Sequence, residues 1–332
     1  MKKNNRIALW DNLKFLLIFL VVLGHFVDYH TSNSLNMKRI FFYTYIFHMP
    51  LFIFISGLFS KKTINEKKYI KIFEYLILYF ALKIFYFIIN IIIYKQSSIS
   101  FFSEGNIPWF VLSLFFFHII TIFLKKLNPK YLLFLTIILA CFIGYDPSIS
   151  DLFALSRTIV FYPFFLAGYY LDPNNIINFC KQKKIKIISF LFIILSLIVT
   201  YLFISKIYVF RPLITGRNPF YTLGKFYKFG FIIRFIYYII TSLFIISIIA
   251  LTPKQKTITT NWGARSLQTY ILHYPCILVF YELLNGHHLL KLTESYLSLI
   301  QIALLLTILL SQKCFEKPIN LIKTIKLNNT NT

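Results

Sequence analysis

The stretch from Asn5 to Tyr29, NRIALWDNLKFLLIFLVVLGHFVDY, restricts what this chain can fold into more than any other. It has the length and apolarity of a bilayer-crossing helix, for which about 20 apolar residues are needed. It nevertheless keeps Asp11, Lys14, His25 and Asp28. An ionisable residue at bilayer depth costs about 2.5–3.5 kcal/mol on insertion scales, so a span that retains several marks a functional site by default. Lys14 and His25 are separated by about three turns at 3.6 residues per turn, which places both on one helix face, roughly 16 Å apart along the axis. Asp11, Lys14, Ile18, Val21, His25 and Asp28 follow one another in steps of three and four, the stripe of a single face. One side of one helix therefore carries polar groups from one leaflet towards the other.

Of the 332 residues, 58% are hydrophobic and 14% charged, against about 45–50% apolar and about 25% charged in soluble domains. The class that fits is an all-α integral membrane protein. A net charge of +24 would point to nucleic acid in a soluble chain. Here the bases sit in short clusters between apolar runs, the pattern of positive-inside loops, and no nucleic-acid partner is expected. Cys141, Cys180, Cys276 and Cys314 are scattered without a C-x-x-C or a metal-ligand spacing, so neither a disulfide framework nor a metal site is expected. Gly24-His25-Phe26 is no small-residue cleavage site, and the first helix reads as retained rather than as a cleaved leader.

Ten spans are predicted, at 9–28, 40–59, 72–94, 107–124, 130–146, 155–171, 187–205, 231–251, 266–284 and 294–312. With a cytoplasmic N-terminus, most of the 35 Lys and Arg residues fall on the inner side, including Lys61, Lys125, Lys181 and Lys254 with their neighbours, which supports ten crossings and two cytoplasmic ends. Residues 1–326 read as one transmembrane domain and 327–332 as a short polar tail. One outer segment breaks the charge rule. Residues 205–230 hold Lys206, Arg211, Arg217, Lys225 and Lys228 among Tyr208, Phe210, Tyr221, Phe226 and Tyr227. Such a surface suits an anionic glycan, or it rests on anionic lipid; the residues leave both open.

Several side chains within these spans are able to carry chemistry. His25, in the outer half of the first helix, is the natural proton acceptor at neutral pH. Asp28, one turn on, either orients His25 or faces the headgroups. Lys14 with Asp11 is either an ion pair at the inner interface or a cationic anchor for a cytoplasmic anion. In the second span His48 precedes Pro50, which frees a backbone carbonyl and kinks the helix, and Ser56-Gly57 permits close helix approach or a polar contact. Trp109 opens the fourth span, as a membrane-interface residue or a substrate contact. Arg157 opens the sixth, where it either snorkels or clamps an oxyanion or phosphate. His273 in the ninth span lies nearer the inner side, as a cofactor contact or a core histidine. No role is evident for Lys83 or His118.

In order along the chain, Trp10-Asp11-Asn12-Leu13-Lys14 leading to His25, Phe47-His48-Met49-Pro50 leading to Ser56-Gly57, Trp109-Phe110, Arg157-Thr158 leading to Phe164-Phe165-Leu166-Ala167-Gly168, and Ser266 to His273 resemble membrane acyltransferase family 3. Within it they are most similar to the fucose 4-O-acetylase-like branch. Lys14 stands where the family's pattern has a basic residue, here a point charge rather than a bidentate fork. The resemblance implies a ten-helix enzyme of the cell membrane that takes an acetyl group from cytoplasmic acetyl-CoA. It esterifies a hydroxyl of a cell-surface polysaccharide or its lipid-linked precursor, with membrane lipid as its surroundings. His25 would be the general base with Asp28 as its orienter. His48, Arg157, Trp109 and Ser56 would serve the acceptor or the oxyanion, and Lys14, Asp11 and His273 the acetyl-CoA. The rival reading is a flippase or transporter of an anionic glycolipid, which explains the buried charge equally well but gives no reason for the ordered motifs. The oligomeric state is not legible.

Overall fold

The computed structural model describes residues 7–95, 99–105, 107–217, 219–284 and 295–316. The basic start at Lys2, Lys3 and Arg6 and the tail at 327–332 lie outside the described residues. Among the described residues the chain is helical, with one isolated antiparallel bridge between Ser103 and Leu152. The helices are α1 (Ala8–Asp28), α2 (Leu35–Tyr45), α3 (His48–Asn65), α4 (Tyr69–Tyr94), α5 (Trp109–Leu124), α6 (Pro129–Phe142) and α7 (Leu155–Tyr170). There follow α8 (Pro173–Lys181), α9 (Lys183–Ile207), α10 (Arg211–Ile214), α11 (Gly230–Leu251), α12 (Ile258–Gly263), α13 (Ser266–Leu284) and α14 (Tyr296–Leu310). Every segment predicted from hydropathy contains a helix. Five helical stretches, Ala8–Asp28, Leu35–Asn65, Tyr69–Tyr94, Lys183–Ile214 and Phe220–Leu251, are long and apolar enough to cross a membrane.

The second predicted span corrects the reading of Pro50. Instead of one kinked helix there are two, α2 and α3, and the break lies before the proline. Pro50 has no N–H and its ring clashes with the carbonyl four residues back, so a helix opens readily around it but does not run through it. That carbonyl, of Ile46, accepts a hydrogen bond from Thr241 Oγ1 of α11 at 3.0 Å. A backbone acceptor inside an apolar bundle is thus satisfied by a neighbouring helix.

The centre of the bundle is α1. Some 72% of its apolar window is buried, against 17% for α4, whose Ile84, Ile88 and Ile92 face outwards. The polar stripe of α1 therefore faces protein rather than lipid. Beside it α3 and α7 cross at reciprocal glycines. A Cβ on Gly57 would lie 2.1 Å from the Phe165 carbonyl oxygen, and one on Gly168 would lie 2.1 Å from that of Phe54. Only glycine allows backbones this close.

The non-helical segment 99–105 folds back into the bundle. Tyr79 Oη donates to the Phe101 carbonyl at 3.4 Å, and Lys83 Nζ donates to the Ser103 carbonyl at 3.2 Å and pairs with Glu104 at 3.0 Å. These partners lie some three to four turns back from the end of α4, so residues 99–105 descend roughly 17–22 Å along it. The Glu104 N–H donates to the Asp151 carbonyl at 2.8 Å, which ties this segment to the stretch leading into α7. Lys83, silent in the sequence, neutralises a carboxylate with no exposed surface.

Candidate active site

His25, on the last turn of α1, opens into a cavity of about 330 Å³ whose walls include His48, Trp109 and Arg157. His48 is fixed by its own helix break: Nδ1 donates to the Thr44 carbonyl at 2.8 Å. Since a carbonyl only accepts, that nitrogen carries the proton and Nε2 is the acceptor. His273 repeats the arrangement, with Nδ1 donating to the carbonyls of Tyr270 at 2.8 Å and Thr269 at 3.1 Å. Its ring centroid lies 5.2 Å from that of His25.

Arg157 is buried, its guanidinium 4.9 Å from the Trp109 ring, and it donates to the Gly105 carbonyl at 3.0 Å. Asp151 is 3.7 Å away and is shared with Arg217, which grips both carboxylate oxygens at 2.7 Å. This fork pushes the Arg217 pKa above its ordinary value. Asp28 accepts from Arg211 at 2.6 Å. Among the residues that line the cavity, Arg157, Arg211 and Arg217 are cationic and Asp28 is anionic, with Asp151 paired to Arg157 and Arg217.

A second cavity, of about 390 Å³, contains Lys14 and Ser56. Lys14 pairs with buried Asp11 at 3.5 Å, and Ser56 Oγ donates to the Phe52 carbonyl at 2.9 Å. Val21, Met49 and Tyr270 line both cavities, so the two meet along the polar face of α1. Tyr270 is held there by its hydroxyl, which donates to the Ile107 carbonyl at 2.6 Å.

The structure brings His25, Asp28, His48, Trp109 and Arg157 to one cavity and Lys14 to the other. Ser56, grouped from the sequence with the acceptor-side residues, lines the same cavity as Lys14. The carboxylate of Asp28 is engaged by Arg211. His273, read from the sequence as nearer the inner side, lies level with His25, because α12 carries the chain deep against α1 before α13 begins. A Cβ on Gly263 would meet the Asp11 carbonyl at 1.7 Å, and Trp262 packs 5.4 Å from Phe15.

Three features of the site carry little clear signal in the sequence. Tyr270 stands within the Ser266 to His273 motif with no role apparent from the residues. Arg211 and Arg217 read only as part of a basic segment. Asn12 donates to the carbonyls of Pro253 and Gln255, both at 2.9 Å, and accepts from Thr257 at 2.8 Å and Thr260 at 2.6 Å. A buried amide on an apolar helix was the available signal.

A family profile described as an acyltransferase domain, that of acyltransferase family 3, matches residues 7–312. The nodulation protein NolL of Sinorhizobium fredii is 42% identical over 64 residues, 18% of this chain and 18% of that protein's length. No solved structure matches. With nearly all of its described residues inside the matched span, the chain belongs to acyltransferase family 3.

Proposed function

We propose that this chain is a multi-pass O-acetyltransferase of the cell membrane, of the fucose 4-O-acetylase-like branch. It moves an acetyl group from cytoplasmic acetyl-CoA to a hydroxyl of a cell-surface polysaccharide or its lipid-linked precursor. The observation that carries this reading is the pair of cavities on the polar face of α1, one with Lys14 and one with His25, sharing Val21, Met49 and Tyr270. A donor whose phosphates stay at the lysine-rich face can extend its thioester arm along α1 to an alcohol that enters from the other side.

His25 takes the proton of the acceptor hydroxyl, and the oxygen lone pair attacks the thioester carbonyl. His48 Nε2, an acceptor by virtue of the Nδ1 bond to Thr44, orients a sugar hydroxyl and does not donate to the oxyanion. Arg157, donor only and already held by Trp109 and Gly105, stabilises that oxyanion. Collapse breaks the carbon–sulfur bond, and the His25 imidazolium returns its proton to the departing thiolate. The products are an O-acetyl ester and free CoA.

The test compares surface glycans by NMR with and without the gene, alongside acetyl-CoA binding to the purified chain. O-acetyl signals should vanish on deletion while binding is saturable. Unchanged O-acetylation together with no acetyl-CoA binding would favour the transporter reading instead.

A further inference from the structure

Away from both of these cavities, a crevice of about 410 Å³ opens between α3, α7, α8 and α11. Its walls are apolar, with Phe54, Phe164, Phe179, Ile245 and Ile249 among them. Beside it is a second depression, lined by Lys181, Lys186 and Lys254 among others. The two are contiguous in the chain: Cys180 of the crevice precedes Lys181, and Ile249 precedes Ala250 of the depression. No carboxylate is among the residues that line either part.

The local sequence builds this arrangement. Asp172 caps α8 by accepting from the N–H groups of Asn174 at 2.8 Å and Asn175 at 3.3 Å, with Pro173 in the first turn. Helix α8 then presents Ile176, Phe179 and Cys180 to the crevice and ends at Lys181. Lys254 is held in place by donating to the Ile177 carbonyl at 3.2 Å. Burial, then the neighbouring Lys186 and Lys181, push the Lys254 pKa below its ordinary value.

We infer that this composite site binds one anionic phospholipid from the leaflet that meets the lysine-rich face, with an acyl chain in the crevice and the phosphate on Lys181, Lys186 and Lys254. A crevice open to the bilayer is filled by a chain of some lipid in any case. The lysines add selection for a negative headgroup, as basic pockets between membrane helices do.

The experiment is native mass spectrometry of the full chain released from nanodiscs of equal phosphatidylglycerol and phosphatidylcholine. The expected result is one retained phosphatidylglycerol, favoured at least tenfold over phosphatidylcholine. The triple variant K181Q/K186Q/K254Q should bring the ratio to parity, and Ser242→Trp, which fills the crevice, should remove retained lipid of both kinds. Parity in the unaltered chain, or a preference that survives the triple variant, would overturn the inference. So would displacement by millimolar inorganic phosphate, which would reduce the site to a simple anion pocket, or by acetyl-CoA, which would assign the lysines to the nucleotide. Because the readout is bound lipid, the result stands apart from the outcome for acyl transfer.

Discussion

Replacing His25 with alanine separates chemistry from packing. A positioned general base contributes about 10²- to 10⁴-fold, which at 1.36 kcal/mol per decade is about 2.7–5.4 kcal/mol of barrier. The structural loss is smaller. His25 is only partly buried, and its ring neighbour among the aromatic contacts is His273 at 5.2 Å, an aromatic pair worth about 0.5–1.5 kcal/mol. The variant should therefore insert and fold with a modest fall in melting temperature while acetyl transfer drops at least a hundredfold. The assay is transfer of radiolabelled acetyl from acetyl-CoA to isolated surface glycan in proteoliposomes, with acetyl-CoA binding measured on the same preparation. Binding should be retained, since Lys14 and the second cavity are untouched. Phe26→Ala is the contrasting control: Phe26 is 1% exposed, so it should cost about 3–5 kcal/mol of stability without removing the base. Activity in the His25 variant above a tenth of the starting value, with normal folding, would remove His25 from the proton transfer.

Other substitutions probe neighbouring parts of the site. Arg157→Lys keeps one charge but gives up the planar fork over Trp109 and its reach to Gly105, so turnover should fall at least tenfold with little change in acetyl-CoA affinity. Asn12→Ala strands the carbonyls of Pro253 and Gln255 and should cost about 1–3 kcal/mol, read as a lower melting temperature and faster proteolysis near residue 255. Gly168→Leu places a side chain where even a Cβ would sit 2.1 Å from the Phe54 carbonyl, so the folded fraction in membranes should collapse; normal yield would refute the close α3–α7 crossing. Thr241→Val leaves the Ile46 carbonyl unpaired and should destabilise by about 1–3 kcal/mol while His48 keeps its bond to Thr44.

How far the sequence could be read follows from the range of the forces involved. Helix positions were legible because an apolar run must close its own hydrogen bonds in lipid, and α1 begins and ends where its composition changes. The joint placement of His25, His48 and Arg157 was legible in part, since the predicted spans put each in the outer half of its own segment, and the three line one cavity. The break before Pro50 was not, because it depends on Thr241, almost two hundred residues on, supplying a donor to Ile46. Nor was the depth of His273, which is set by how closely Gly263 lets α12 approach Asp11. The same reasoning bears on Asp28. A carboxylate one turn from a histidine invites assignment as its orienter, yet Arg211, which opens the distant α10, engages it at 2.6 Å. Both side chains of that ion pair are more than a third exposed, so it adds little stability and is weakened by salt. Its place is at the cavity wall, where Arg211 also lies over Phe41 at 4.6 Å. Asp28→Asn should therefore alter the apparent KM for the acceptor more than kcat, whereas an orienter of His25 would lower kcat first. A KM-against-kcat comparison of that one variant decides whether the carboxylate serves the base or the entrance.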